Sequence, residues 1–280
     1  MALAFLVLAS LLATPDATAT WEKLYVAKSP TVFAAVAARA DDGWIAAGGA
    51  LLVRGTAAGI QATPEAGRFV VGLSTGQAAP LLAVGADGLI LRWDGQAWSE
   101  ESFDAGAAAT DRAKRRQALL QGALRLADGR DVAYGPWRVL VRQPGGRWDA
   151  PPEPERYRLM TWAQLGPAPA QGDACRPAQW RWLSDGAGWR VCHDGHSLVV
   201  GADGTTIDHG HAPPSCTSAL GTVARRGDDV FATCGGGELW RSTGTRWQRM
   251  KAPKVDAVAL GTTCLYAVGG PTVWRRCALP

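Results

Sequence analysis

The chain has 280 residues, 47% of them hydrophobic, with 34 Gly and 13 Trp; this argues against disorder and suits a packed, turn-rich β protein. Its net charge of +4 is small for the length and its arginines are scattered, so nucleic acid is not expected as a partner.

Residues 2–13 form an apolar run, followed by Thr14-Pro15-Asp16 and the small-residue stretch Ala17-Thr18-Ala19. This predicts a signal peptide over 1–19 and leaves 20–280 as one domain. The run is shorter than the about 20 apolar residues that span a bilayer, so no transmembrane anchor is expected. It carries no Lys or Arg at its start, and the alternative is an apolar N-terminus that packs or stays disordered.

Short β-like runs then follow one another in groups of four. The first group covers 32–39, 44–47, 51–54 and 60–63; the second covers 69–73, 81–84, 89–92 and a strand carrying Trp98. The stretch from Leu82 to Trp98 is the clearest copy. Its Asp94-Gly95 turn between β-favouring runs is a strong hairpin signal, because the turn needs positive φ at its centre. A third group covers 119–126, 131–134, 139–142 and a strand from Trp148. The fourth covers 178–183, 189–192, 198–201 and 205–208, and the fifth 217–223, 230–233, 239–241 and a strand from Trp247. The sixth, 255–260, 265–268 and 273–276, lacks a fourth strand.

Aligned at the ends of their second strands, successive groups are spaced by 37, 50, 58, 41 and 35 residues. Four short strands repeating at about 40 residues predict a β-propeller. The segment Trp21-Glu22-Lys23-Leu24 has the Trp-led character of the other fourth strands and is expected to complete the last blade. The fold expected is therefore all-β, a six-bladed β-propeller closed by pairing of the N-terminal strand with the C-terminal blade, which removes an exposed edge. A seven-bladed or open arrangement is the alternative.

The segments Arg92-Trp-Asp-Gly-Gln-Ala-Trp98, Gln143-Pro-Gly-Gly-Arg-Trp148 and Ser242-Thr-Gly-Thr-Arg-Trp247 resemble degenerate Asp-box (BNR) turns, with Asp94 alone supplying the acidic position. Such repeats are found in propellers of the sialidase and photosystem assembly-factor types. The resemblance implies a structural role for the motif, with each Trp packed between blades.

All six cysteines lie in the second half and none forms a C-x-x-C pair. Of 15 pairings, the register selects one. Cys264 and Cys277 are equidistant from the Gly270-Pro271 turn, while Cys175 with Cys192 and Cys216 with Cys234 bracket the first hairpins of the fourth and fifth blades. Disulfides imply an oxidising compartment, and a periplasmic or secreted protein is expected.

The four histidines fall between 193 and 211. His196 and His211 are equidistant from the Asp203-Gly204 turn and should face each other across adjacent strands, with His193 at the same end. Together with Asp194 they form a candidate divalent-metal set; otherwise no cofactor is expected. Two insertions lengthen the repeat. One, at 104–117, holds Arg112, Arg115 and Arg116 and reads as a short helix capped by Thr110 or Asp111; the other, at 151–172, holds Tyr157 and Trp162. Both join a fourth strand to the next first strand, so both should gather with the histidines on one face as a ligand-binding surface. No catalytic residue is assigned, since the chain has four tyrosines, no nucleophile elbow and no phosphate loop. The function expected is a monomeric, non-catalytic scaffold binding an envelope or extracellular protein, peptide or glycan. A sialidase-like hydrolase and a metal-binding module are the alternatives.

Overall fold

A computed structural model describes residues 20–277 except 29, 30, 40, 42, 65–68, 75–80, 102–117, 127, 166–174, 176, 184–186 and 202–204. The expected signal peptide and the basic insertion with Arg112, Arg115 and Arg116 lie outside the described residues.

Six antiparallel four-stranded sheets form the blades of a propeller. Blade 1 comprises β2 (Ala35–Ala38), β3 (Trp44–Gly48), β4 (Leu51–Thr56) and β5 (Gly59–Pro64); blade 2 comprises β6 (Val70–Leu73), β7 (Leu81–Gly85), β8 (Ile90–Trp93) and β9 (Trp98–Glu100). Blade 3 follows as β10 (Gly122–Arg125), β11 (Asp131–Tyr134), β12 (Val139–Arg142) and β13 (Trp148–Asp149). Blade 4 holds β14 (Pro177–Trp182), β15 (Gly188–Cys192), β16 (His196–Val200) and β17 (Thr206–His211); blade 5 holds β18 (Leu220–Arg226), β19 (Asp229–Cys234), β20 (Glu238–Thr243) and β21 (Arg246–Arg249). Blade 6 is β22 (Ala257–Leu260), β23 (Cys264–Gly269) and β24 (Thr272–Cys277), and its fourth strand is β1 (Glu22–Val26). The N-terminal strand thus closes the ring as expected. Glu22 pairs with Arg275 in register and accepts hydrogen bonds from its guanidinium at 2.6 and 3.1 Å.

The core is divided into six apolar clusters, one at each junction between neighbouring blades. A second strand lies under a blade on both faces, which is why β3, β7 and β15 are buried at every residue; β3 and β7 read as unbroken apolar runs, and β15 is interrupted only by the buried Arg190. Fourth strands have one face in water: β9 and β21 are largely exposed.

Two of the three turn tryptophans sit where the Asp-box resemblance implies. Trp148 is buried against Leu82, Val84 and Ile90 of blade 2, and Trp247 packs edge-on to Trp189 of blade 4 at 5.5 Å, its indole N–H donating to the His209 carbonyl. Trp98 is only half-buried, because Trp93 occupies the deeper position between blades 1 and 2 and Trp98 leans on it at 5.4 Å. Asp94 Oδ1 accepts from the amides of Gln96 and Ala97, both at 2.8 Å, and so shapes the β8–β9 turn.

The repeat register has a steric origin. A Cβ on Gly48, Gly85, Gly135 or Gly269 would come within about 2.2 Å of a carbonyl oxygen in the chain entering the same blade, those of Val32, Phe69, Leu119 and Lys254 respectively. In blades 4 and 5 the second strands end instead on Cys192 and Cys234, which are tied to the entering chain by Cys175–Cys192 and Cys216–Cys234. Close backbone approach is thus replaced by a covalent tie. The third bridge, Cys264–Cys277, joins β23 to β24 at their paired residues. All three pairings match the register argument.

Among the described residues, two α-helices lie outside the strand pattern. Helix α1 (Glu155–Leu165) follows the truncated β13, and α2 (Pro214–Ser218) enters blade 5 with Pro214 in its first turn. Leu159 of α1 is buried with Leu124 and Val141 of blade 3 and Trp180 and Trp182 of blade 4. The helix fills the junction that the two-residue β13 leaves uncovered.

Candidate functional site

The turns between second and third strands meet the connections entering each blade on one face of the ring. Phe33 N–H donates to the Gly270 carbonyl, Leu120 N–H to Gly85 and Val255 N–H to Gly237, at 2.9, 3.0 and 3.1 Å. On this entry face lie Val32, Phe69 and Trp137, which are 60, 61 and 67% exposed. Trp137 is in the turn between β11 and β12, and the other two stand just before the first strands of blades 1 and 2. A Cβ on Gly49 would lie 3.9 Å from the Phe69 ring and from Thr31, so the blade 1 turn sits beside Phe69.

Helix α1 departs from expectation. Its Glu155 accepts from Arg130 at 2.8 Å, and Arg130 belongs to the turn between the first and second strands of blade 3, at the opposite end of the blade. The helix is drawn away from the entry face because burial of Leu159 in the uncovered junction, together with this ion pair, holds it along the blade. Tyr157 is exposed on α1 and stacks under the Arg156 guanidinium at 5.7 Å. Trp162 lies in the same helix, its side chain outside the description. The structure therefore does not bring Tyr157 together with the histidines.

Beside α1, a groove of about 540 Å³ is lined by Arg92, Arg125, Arg130 and Arg142. Its charges are compensated internally. Arg125 bonds Asp131 at 2.8 and 3.2 Å, Arg130 bonds Asp128 and Glu155, and Arg142 clamps Glu101 at 2.6 and 2.7 Å. Burial works to raise the Glu101 carboxyl, but hydrogen bonds from Arg142 and the Trp148 indole outweigh it and hold it below the usual carboxylate range. The clamp links the chain just after β9 of blade 2 to blade 3.

His196 and His211 are direct partners across β16 and β17, with ring centroids 4.1 Å apart. The His196 amide donates to Asp194 Oδ1 at 3.0 Å, and His196 Nδ1 lies 3.5 Å from Asp208. His193 is exposed in the adjoining turn. Among the described residues, no three His, Cys, Asp or Glu side chains gather into a metal-holding group. The fourth histidine, His209, is fully buried against Trp189 at 5.2 Å, with Nδ1 3.2 Å from Ser242 Oγ. Burial, and then the nearby Arg225 charge, depress its pKa below 6.5.

The first strands of all six blades surround a central channel of about 250 Å³. Its described lining is mainly apolar, with Ser74, Gln121, Tyr134, Arg181 and Thr222 as the larger polar contributors and no Asp or Glu. The carboxylate pair that most glycosidases use is thus not supplied by these lining residues. Sequence reasoning missed Arg181 and Tyr134. Their only signal was a polar group set beside apolar neighbours, Ala133 before Tyr134 and Trp180 and Trp182 around Arg181.

No protein-family model matches the chain, and no curated protein matches it. Solved structures do. A catalytically inactive variant of virginiamycin B lyase from Staphylococcus aureus, with quinupristin, superposes with a TM-score of 0.66 at 11% identity, covering 93% of this chain and 99% of that one. YCF48 bound to D1 peptide gives 0.54 at 13%, covering 96% and 99%. A gluconolactonase from Xanthomonas campestris gives 0.57 at 14%, covering 96% and 92%. At such identities the likeness is one of fold, and it confirms this chain as a β-propeller.

Proposed function

We propose that the protein is an exported, non-catalytic binding or assembly scaffold that presents its entry face to a protein, peptide or glycan in the periplasm or outside the cell. The observation that carries this reading is the exposure of Val32, Phe69 and Trp137 on the entry face. Large apolar groups on short connections of a rigid scaffold are what a binding surface requires. Propeller neighbours include a peptide-bound protein, YCF48 with D1 peptide, and also enzymes, so fold alone does not decide. Export is supported by the apolar run at 2–13 and by three disulfides, which persist in oxidising compartments. Among the described residues no helix is long and apolar enough to cross a membrane. The Asp94 turn supports kinship of these hairpins with the Asp-box motif.

The test is cross-linked capture from a native envelope fraction, comparing the wild type with a Phe69→Ser, Trp137→Ser double variant whose melting temperature is unchanged. A partner held by the wild type and lost by the variant supports the reading. Identical capture by both forms, or no specific capture by either, removes it.

A further inference from the structure

The central channel combines two polar groups that nothing in the fold fully uses. Arg181, on the innermost strand of blade 4, donates from Nε to the Gly221 carbonyl at 2.5 Å, from one terminal nitrogen to Trp180 at 2.6 Å and from the other to Leu220. Three of five N–H groups are thereby engaged and two remain. The three carbonyls fix the guanidinium across the junction of blades 4 and 5. They do not neutralise it, and no Asp or Glu occurs among the described lining residues. A cation in such a setting is stabilised by any anion that reaches it.

Tyr134 approaches from β11. Its ring crosses over its strand partner Gly122, where a Cβ would lie 2.4 Å from the hydroxyl oxygen. The glycine therefore makes the room through which Tyr134 reaches the channel. The hydroxyl has no hydrogen-bond partner among the described residues. Burial pushes its pKa up to about 12, with the Arg181 charge working against the rise, so at neutral pH the group is a hydrogen-bond donor.

We propose that the channel binds a small monocarboxylate with an apolar body, its carboxylate held between the Arg181 guanidinium and the Tyr134 hydroxyl. A donor and a cation with no acidic neighbour select a negatively charged acceptor over a neutral amide or an amine. One guanidinium and one hydroxyl match a single negative charge, whereas a phosphate dianion would keep excess charge among apolar walls. Those walls include Ala37, Leu73, Ala123, Trp182, Val223 and Val258, one from every blade. The volume equals that of about eight waters in the liquid, which limits the ligand to a small molecule. Because Arg181 is already fixed by backbone carbonyls, little ordering is left to oppose binding. This site is separate from the entry face.

The experiment is calorimetric titration of phenylacetate and hexanoate, with phenylacetamide and hexanol as neutral counterparts, into the wild type, Tyr134→Phe and Arg181→Gln. The carboxylates should bind saturably at one site, and the neutral compounds at least about tenfold more weakly, as expected for hydrogen bonds to a charged group. Tyr134→Phe breaks no bond that holds the fold; it should keep the wild-type melting temperature and weaken carboxylate binding by about threefold to tenfold. Arg181→Gln should abolish it. If Arg181→Gln fails to fold, the Tyr134→Phe and neutral-compound arms decide the matter. Equal affinity for acid and amide, unchanged affinity in Tyr134→Phe, or no saturable carboxylate binding in the millimolar range would each overturn the proposal.

Discussion

His209 and His211 are two residues apart on one strand, where simple alternation would put them on the same face. One is buried and the other exposed. The cause is a bulge: His196 pairs with His211 but Leu198 with Asp208, so β17 carries one residue more than its partner, and Gly210 takes up the kink at φ +70°. The meeting of His196 with His211 was legible from the turn position, whereas the bulge was not, because a lone glycine in a strand has several readings. The bulge leaves a titratable ring in the core. His209 has a folded-state pKa below its unfolded value of 6.5, so near and below that pH the unfolded chain binds more protons. Its contribution to stability is complete above 6.5 and is lost as pH falls from there toward the depressed value. Melting temperature should decline through this window in the wild type, and the decline should be shallower in His209→Gln; parallel profiles would contradict this account.

Strands were legible to the extent that each obeys local rules, and second strands most of all, since burial on both faces writes a continuous apolar run such as Leu81 to Gly85. Helix α1 was not legible. Its apolar residues Tyr157, Leu159, Met160 and Trp162 form no even stripe, and its position depends on the shortness of β13, a fact about packing that no window of sequence contains. The tryptophans show the same division. A Trp in the fourth strands of blades 2, 3 and 5 is visible in the sequence, but its depth is decided by the neighbouring blade. Trp189 of β15 is fully buried against Trp247 and His209, and its replacement by Ala should cost about 3–5 kcal/mol. Trp98→Ala, at a half-buried site outside Trp93, should cost only about 1–2 kcal/mol. Denaturant unfolding of the two variants checks the order, and equal losses would mean that the blade junctions are not the seat of stability.

Across the ring, covalent and non-covalent support are unevenly shared. The bridges Cys175–Cys192, Cys216–Cys234 and Cys264–Cys277 all lie in blades 4 to 6, while blades 1 to 3 rest on packing and on ties such as Glu101 with Arg142. Each disulfide closes a loop of 13 to 18 residues, worth about 3 kcal/mol in the chain-entropy estimate. Reduction under native conditions should therefore weaken amide-exchange protection first in blades 4 to 6, and uniform loss around the ring would count against this division. The blade number was legible from spacing alone. The channel chemistry was not, because Tyr134 and Arg181 lie 47 residues apart on different blades and only the packing of blade 3 beside blade 4 brings them to one channel.

Closure also sets a timetable. Five blades are continuous in the chain, but Glu22 and Arg275, which pair in the sixth, are 253 residues apart. At about 5–20 residues per second of synthesis, the first strand waits on the order of tens of seconds for its partner to be made. Until then every intermediate is an open arc with a bare strand edge at either end, and the ring can shut only once its last strand has been made.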